Sequence, residues 1–340
     1  MNTTATATAA SPGPAVGRED IDQLTEAGYL DTAARDAALR LAGVTPDAAK
    51  WQRFLSGLFL LLGVTFMVAA AGFFIAYNWD VMGRFAKIGL LEAVLVAAVL
   101  AALRGGNGND GASLATRAAL LVAVLATGPL LAFVGQTYQT GADSYELFRA
   151  WALLVLPWVI VARWRPLWCM WLLLVNLWLA LYFGQARQPL ATSLFSLHAV
   201  LAHLVVNALF LALIEWWGGQ HIAGGGRTLE RLALAFVLTA AAVLYLAFLF
   251  DHERNFWQLL VSLLAFAAVW PVYRLWRMDV AALALWSFAG IVMAIATIGK
   301  LMFAAHAEVA AFLFCGVAAI GLSAWAAGWL RAIHREAEAA

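Results

Sequence analysis

Charged side chains are scarce in this chain. Asp, Glu, Lys and Arg together make up 12% of the 340 residues, against about 25% in soluble domains. The net charge of +1 leaves no basic surplus of the kind that nucleic-acid binding requires, so we expect no nucleic-acid partner. The two cysteines, Cys169 and Cys315, lie in different apolar runs, and we expect them to pack as small apolar side chains rather than to form a disulfide.

Motifs for catalysis and cofactor binding are also missing. The chain contains no Gly-x-Ser-x-Gly, His-Glu-x-x-His, Walker or Cys-x-x-Cys sequence. Gly106-x-Gly108-x-x-Gly111 has the spacing of a dinucleotide fingerprint, but an apolar run precedes it where that fingerprint requires a strand. We therefore predict no enzyme activity, no catalytic residue, no cofactor and no metal. An integral membrane enzyme without a recognisable motif is the alternative.

Long apolar runs dominate the chain instead. Hydrophobic residues make up 64% of it, and runs of about 20 residues are long enough to cross the ~30 Å core of a bilayer as helices. A membrane β-barrel would need alternating apolar and polar residues, whereas these runs are continuous. The sequence therefore predicts an all-α, polytopic bundle in contact with the lipid bilayer. It has ten spans, near residues 54–77, 85–103, 115–134, 147–163, 166–184, 194–214, 229–250, 256–275, 280–300 and 309–330.

The basic residues predict the orientation of the bundle. Lys and Arg concentrate in the cytoplasmic loops of membrane proteins. With a cytoplasmic N-terminus, the inner segments hold fifteen basic residues and the outer segments six. This imbalance predicts that both termini are cytoplasmic.

Three segments lie outside the predicted spans. Residues 1–17 are rich in Ala, Thr, Ser, Pro and Gly and do not have the pattern of a signal peptide, so we predict a disordered tail. Residues 18–53 form a cytoplasmic helical segment in which Gly28 ends one helix, Asp31 caps a second that stops at Gly43, and Thr45-Pro46 starts a third. This segment either docks a protein partner or packs on its own bundle. Residues 331–340 are a cytoplasmic tail.

A polar stretch at residues 135–151 interrupts the apolar pattern. Gly128-Pro129 predicts a kink in the span before it, and Asp143 with Glu146 has the spacing of a capping box for the span after it. A simple turn does not need Gln136, Tyr138 and Gln139. The stretch is therefore either a partly buried loop that lines a site near the outer face, or an interfacial connector with tyrosine anchors.

Ionisable residues near the outer ends of spans extend this candidate site. Glu92 lies about two turns inside its span, where a carboxylate needs a partner or a cavity, and Lys300 is the partner we expect. A solute or proton path and a structural ion pair are both open interpretations. Polar residues also recur at the other outer ends, either as a converging site or as solvated turns. They are Asp80, Asp143, Glu146, Asp251, His252, Glu253, His306 and Glu308.

Three polar residues are predicted within the membrane itself. His203 and Asn207 are four residues apart and share a helix face, whereas His198 and His203 are five apart, about 140° round the helix, which is poor geometry for one metal. We predict interhelical hydrogen bonds among Asn176, His203 and Asn207.

Short motifs give the chain a family resemblance. Asn78-Trp79-Asp80, Gly135-Gln136-x-Tyr138-Gln139 and Leu147-Phe148-x-x-Trp151 resemble the bacterial membrane family called domain of unknown function 2157, over roughly residues 18–165. Tyr77 departs from it, since a small residue is expected before Asn78. The resemblance implies a polytopic protein of the bacterial inner membrane. The family has no established activity, so no catalytic residue follows from it.

Two functions remain as hypotheses. The protein binds or moves a small solute, of unknown identity, or protons through the polar site near the outer face. Alternatively, it is a membrane sensor or assembly protein that docks a membrane or cytoplasmic partner through residues 18–53.

Overall fold

A computed structural model describes residues 17–42, 76–105, 114–187, 196–218, 226–250, 255–306 and 308–339, with Ile222 and isolated positions between 48 and 74. The chain divides into two compact units, Met1–Gly83 and Arg84–Ala340. The predicted third helix from Pro46 and most of the predicted first span, 54–77, lie outside the described residues.

The first unit contains the two predicted short helices, α1 (Arg18–Glu26) and α2 (Thr32–Leu41). Gly28 follows α1 with φ +77°. The amides of Gly28 and Tyr29 donate to the carbonyls of Thr25 and Leu24, both at 3.0 Å, the paired bonds that commonly end a helix at a left-handed glycine. Asp31 caps α2 as predicted, by accepting from the Ala34 amide at 2.6 Å.

The two short helices are joined through side chains. Arg35 of α2 pairs with Asp22 of α1 at 2.6 Å, while Ile21 and Leu39 are each only 2% exposed. An apolar contact surface and one ion pair therefore hold this hairpin closed.

All regular secondary structure in the described residues of the second unit is helical, and these residues contain no strand. Nine of its helices, counted over the described ranges, are long and apolar enough to cross a membrane. This confirms the predicted all-α polytopic fold. The helices are α3 (Arg84–Gly105), α4 (Leu114–Tyr138), α5 (Ser144–Ala162), α6 (Arg165–Arg187), α7 (Leu197–Leu213), α8 (Thr228–Phe250), α9 (Phe256–Pro271), α10 (Val280–Ala304) and α11 (Glu308–Ala339).

Several helix ends differ from the predicted spans. The last helix continues to Ala339, well beyond the predicted end near residue 330, and Glu336 in this extension pairs with Arg274 at 2.7 Å. α7 and α9 each continue into a π-helical turn, Ile214–Gly218 and Val272–Trp276. These wider turns are frequent at functional sites, because they redirect side chains at the end of a helix.

The central helix of this unit is α8. It packs against α6, α7, α9 and α10, while α3 to α6 pack in chain order and α11 packs on α10. Of the nine candidate spanning helices it is the most buried, since 44% of its most apolar stretch lies inside the protein. Large apolar side chains elsewhere point outwards, including Phe288 (68% exposed) and Phe312 (74%). Lipid is the solvent that suits such surfaces.

A close contact joins α4 to α5 near the predicted kink. The Trp151 ring of α5 lies over Gly128, so that a Cβ added there would be 2.4 Å from a ring carbon. The Trp151 indole also donates to the Val124 carbonyl at 2.8 Å. Pro129, inside α4, removes the amide that would bond Leu125. The indole bonds the neighbouring Val124 carbonyl, not the Leu125 carbonyl that has lost its helical donor.

We expect Gly128→Ala to lower the free energy of unfolding by about 1–3 kcal/mol, the usual cost of overpacking, because the Trp151 ring must move and its hydrogen bond is strained. Thermal unfolding in detergent measures this. Gly89→Ala is the matched control, since nothing lies within 4 Å of the added carbon. Equal unfolding temperatures for the two variants would refute the contact.

Candidate functional site

The polar stretch that connects α4 to α5 forms an open pocket. Its volume is ≈ 610 Å³, within the range of small-molecule sites. Six side chains that ionise or hydrogen-bond line it: Gln136, Thr140, Asp143, Ser144, Glu146 and Arg149. Three of the predicted site residues, Gln136, Asp143 and Glu146, are therefore brought together.

The backbone of this connection is more constrained than the predicted loop. α4 continues past Gly135 to Tyr138, and the Thr140 amide then donates to the Gly135 carbonyl at 3.2 Å. This bond closes the helix end around Gln139, whose φ of +46° is left-handed. A non-glycine residue in that conformation costs of order 1 kcal/mol or more, and such strain is concentrated at functional positions.

The predicted capping box at α5 is wrong. Asp143 occupies the N-cap position, but its side chain makes no cap hydrogen bond. Glu146 turns instead towards Arg149, one helical turn further on, at 3.6 Å. The Asp143 carboxylate is left available at the pocket, and Glu146 lines it as half of an ion pair.

Three other predicted site residues do not line the pocket. Tyr138 is 60% exposed at the end of α4, and Gln139 sits at the left-handed turn described above. Asp80 lies in an exposed turn of the first unit.

The predicted pair of Glu92 and Lys300 does not form. Glu92 is exposed on α3, and no ion pair within 4 Å joins it to any cation whose side chain is described. The ammonium of Lys300 lies over the Phe250 ring, 5.4 Å from its centroid. An aromatic face, rather than a carboxylate, is the partner of this cation because α3 and α10 are not neighbours in the bundle.

The proposed convergence of acids and histidines falls partly outside the described residues. Residues 251–254 and the side chain of Glu308 are not among the described parts of the chain. His306 is exposed just beyond the end of α10, with a left-handed φ of +54°. Within the described part of the chain, no three His, Cys, Asp or Glu residues are grouped so that they could hold a metal ion.

The predicted interhelical hydrogen bonds between Asn176 and Asn207 are confirmed. Asn176 of α6 and Asn207 of α7 exchange amide hydrogen bonds of 3.0 and 2.7 Å and are 5% and 0% exposed. The His203 ring lies with Nδ1 2.8 Å from the Ala199 carbonyl and Nε2 3.3 Å from the Asn176 carbonyl. A neutral imidazole donates from one nitrogen only, and the shorter contact is the better donor. The two asparagines therefore join α6 to α7, while His203 donates to its own helix.

A buried cluster of ion pairs lies at the opposite end of the bundle from the pocket. α5 starts at the pocket and is 19 residues long, about 28 Å as a helix. α6 begins just beyond its far end, at Arg165. We call this far end, where α6, α8 and α10 begin and α7 and α9 finish, the basic end.

Glu215 is the centre of this cluster. It lies in the π-helical turn after α7 and accepts hydrogen bonds from Arg227 and, at 2.8 Å, from the Tyr273 hydroxyl. Its backbone carbonyl accepts from Arg277 at 2.9 Å. The Glu215 side chain is 7% exposed. Both π-helical turns therefore point a polar side chain into the same charged contact.

Asp279 performs two tasks in the cluster. Its carboxylate receives two bonds from Arg231, at 3.1 and 2.9 Å, and lies 3.6 Å from Arg227. The same group caps α10 through the amides of Ala281 and Ala282, at 3.0 and 3.2 Å. Its side chain is 2% exposed. Four donors thus compensate a buried negative charge.

A third buried pair ties α6 to α8. Arg165 Nη1 lies 3.0 Å from Glu230 Oε2, and it also donates to the Gly226 carbonyl. The two side chains are 11% and 6% exposed.

The arginines of the basic end were predicted as flanking charges, whereas Glu215, Glu230, Asp279 and Tyr273 were missed. The signal was the carboxylates placed among these arginines in segments 214–231 and 272–279.

An apolar cavity of ≈ 690 Å³ opens between α7, α8 and α9. Its walls are almost wholly aliphatic, and Glu215, Trp216, Tyr273 and Trp276 line its end at the π-helical turns. In a bilayer such a cavity faces the acyl chains.

We expect Glu215→Gln to lower the free energy of unfolding by about 3 kcal/mol, because Arg277 loses its carboxylate partner, Arg227 is left with Asp279, and the Tyr273 hydroxyl loses a charged acceptor. Thermal or chemical unfolding of the detergent-solubilised protein measures the loss. Glu146→Gln is the charge-matched control, and its half-exposed pair should be worth under about 1 kcal/mol. Similar losses in both variants would contradict the role of the cluster.

Asn176 and Asn207 should behave as a coupled pair. Asn207→Leu and Asn176→Leu each leave a buried amide without its partner, whereas the double variant removes both. A double-mutant cycle of unfolding free energies should give a coupling of about 0.6–1.7 kcal/mol, the range found between membrane helices. Strict additivity would show that the bonds do not join the helices.

Comparison with known proteins agrees with the architecture. Residues 22–168 match the family model described as "Predicted membrane protein (DUF2157)". The match covers α1 to the start of α6 and includes the whole pocket. No curated protein and no solved structure matches the chain.

Proposed function

We propose that the chain, whose residues 22–168 match the model of this family of membrane proteins, binds a small cationic or zwitterionic solute in the α4–α5 pocket. It moves that solute, or protons coupled to it, at the outer face of a bacterial inner membrane. The proposal assigns the protein no catalytic chemistry. The observation that supports it is the gathering of Gln136, Asp143, Glu146 and Arg149 around one cavity.

The charges of the pocket support this choice of solute. Two carboxylates and one guanidinium give a net charge of −1, so a cation or a zwitterion fits better than an anion. Asp143 has no cap bond to hold it, and the Glu146–Arg149 pair, at 3.6 Å and with side chains 37% and 48% exposed, is loose enough to exchange its partner for a ligand. A bound amine would meet Asp143 and Glu146, and a bound carboxylate would meet Arg149.

The distribution of basic residues supports placing the pocket outside. The opposite end of the bundle holds Arg165, Arg227, Arg231, Arg274 and Arg277, and loops rich in arginine stay in the cytoplasm. Both termini are then cytoplasmic, and the solute arrives from the outer side.

A second function is favoured by the α1–α2 hairpin. Tyr29 and Leu41 are 79% and 90% exposed on it, and exposed apolar side chains of this size often contact a partner. A membrane sensor or assembly protein would dock its cytoplasmic partner there. Deleting residues 18–53 would then abolish function, whereas solute binding at the α4–α5 pocket would persist.

Ligand-induced thermal stabilisation tests the first proposal. We expect lysine or glycine betaine, but not citrate, to raise the unfolding temperature of the purified protein, because a ligand bound only to the folded state stabilises it. Arg149→Gln, which removes the partner of the carboxylate, and Glu146→Gln, which removes a partner of the cationic nitrogen, should each abolish the effect of both solutes.

Arg104→Gln is the control, since Arg104 is an exposed arginine that does not line the pocket. A stabilisation that survives both pocket substitutions, or one given equally by citrate, would overturn the assignment.

A further inference from the structure

A second polar cavity lies at the basic end, on the side of α10 and α11. Its volume is ≈ 600 Å³, and four basic side chains line it: Arg227, Arg231, Arg331 and His334. They come from the start of α8 and the last part of α11, which lie far apart in sequence. Asp279 is the one carboxylate among the lining residues.

The Asp279 carboxylate in this cavity already has hydrogen-bond partners within the protein. Asp279 accepts from the amides that start α10 and from Arg231, and its side chain is 2% exposed. An incoming ligand therefore meets guanidinium groups rather than the carboxylate. Arg231 is 42% exposed despite its bonds to Asp279, so part of its guanidinium faces the opening.

Arg331 supplies positive charge without a counter-charge among the side chains that the structure describes. Its Nε donates to the Ala327 carbonyl of its own helix at 3.2 Å, and no carboxylate whose side chain is described lies within 4 Å of its guanidinium. Arg335 follows one turn later and is likewise exposed, with its Nε bonded to the Arg331 carbonyl at 3.4 Å. Arg331 and Arg335 are four residues apart and therefore lie on one face of α11.

The whole region has a surplus of positive charge. The buried cluster, the Arg274–Glu336 pair and the two α11 arginines contain seven guanidinium groups and four carboxylates, a surplus of three. Guanidinium groups bind phosphate in bidentate fashion and through charge-assisted bonds. An anion that bears phosphate is the ligand that suits this surplus.

The remaining walls of the cavity are apolar. Val280, Ala281, Ala284 and Leu330 line it, and they belong to helices long enough to span a membrane. Trp325 and Trp329 stack beside it on α11, with ring centroids 6.1 Å apart, as aromatic side chains do at the level of lipid headgroups. A ligand here meets guanidinium groups at one side and aliphatic side chains at the other, which favours an amphipathic molecule over a free phosphate ion.

We propose that this cavity binds the phosphate group of an anionic phospholipid, with the phosphate against Arg231 and Arg331 and an acyl chain along Val280, Ala284 and Leu330. Basic pockets between membrane helices bind anionic headgroups in this way. The site is distinct from the α4–α5 pocket and does not depend on the function proposed there.

Lipid selectivity tests the proposal. The purified full-length protein is titrated in detergent with phosphatidylglycerol, phosphatidylcholine or inorganic phosphate, and binding is followed by the unfolding temperature and by native mass spectrometry. We expect phosphatidylglycerol alone to stabilise the protein. Arg331→Gln should weaken its binding about fivefold, since one basic side chain near an anionic lipid is worth roughly 1 kcal/mol.

A second variant and a control complete the test. Met278→Glu adds a carboxylate at a lining position that is 41% exposed, so it should also abolish the preference for phosphatidylglycerol, even if Arg331→Gln fails to fold. Arg149→Gln, at the other end of the bundle, should keep the preference. The proposal is overturned if phosphatidylcholine stabilises equally, if inorganic phosphate replaces the lipid, or if Met278→Glu binds phosphatidylglycerol as the wild type does.

Discussion

A charged side chain buried among membrane helices must find its counter-charge within the protein, and this requirement organises the basic end of the bundle. Glu215, Glu230 and Asp279 are each under 10% exposed, and each is paired with arginine. Their partners come from α6, from the start of α8 and from the turn after α9. The free energy of desolvating each charge is offset only in that one arrangement. The ion pairs therefore specify how five helix ends meet, where aliphatic packing alone would tolerate sliding.

The two ends of the bundle consequently differ in character. At the basic end, the buried carboxylates are bound in structural ion pairs, and arginines outnumber carboxylates. At the α4–α5 pocket, the acids are only half engaged: Asp143 makes no cap bond and Glu146 holds Arg149 at 3.6 Å. Between them, the Asn176–Asn207 amides and the Trp151 indole satisfy polar groups in a region where water is scarce. Rigidity at one end and exchangeable charge at the other suit a protein that binds a solute on one side of a membrane.

The helices could be predicted from the sequence because hydrophobic length and basic flanks are local signals. The bonds between Asn207 and Asn176 also followed, since few polar partners exist in a span, whereas His203 donates to the carbonyl of Ala199 in its own helix. The contacts of Glu92 and Lys300 could not be predicted, because depth within a span does not say which helices are neighbours. Glu146 was misassigned for a related reason, since spacing allowed a capping box and Arg149 competed for the same carboxylate. The role of Glu215 depends on two π-helical turns that no pattern of residues in the sequence predicted.

The sidedness of these two ends is the claim on which both proposed sites rest. Ala142→Cys at the α4–α5 connection and Arg335→Cys near the end of α11 can be made in a chain with Cys169→Ala and Cys315→Ala, and probed with a membrane-impermeant thiol reagent in intact bacteria. We predict that Ala142→Cys is labelled from outside and that Arg335→Cys is labelled only after the cells are opened. Labelling of both positions from the same side would contradict the account.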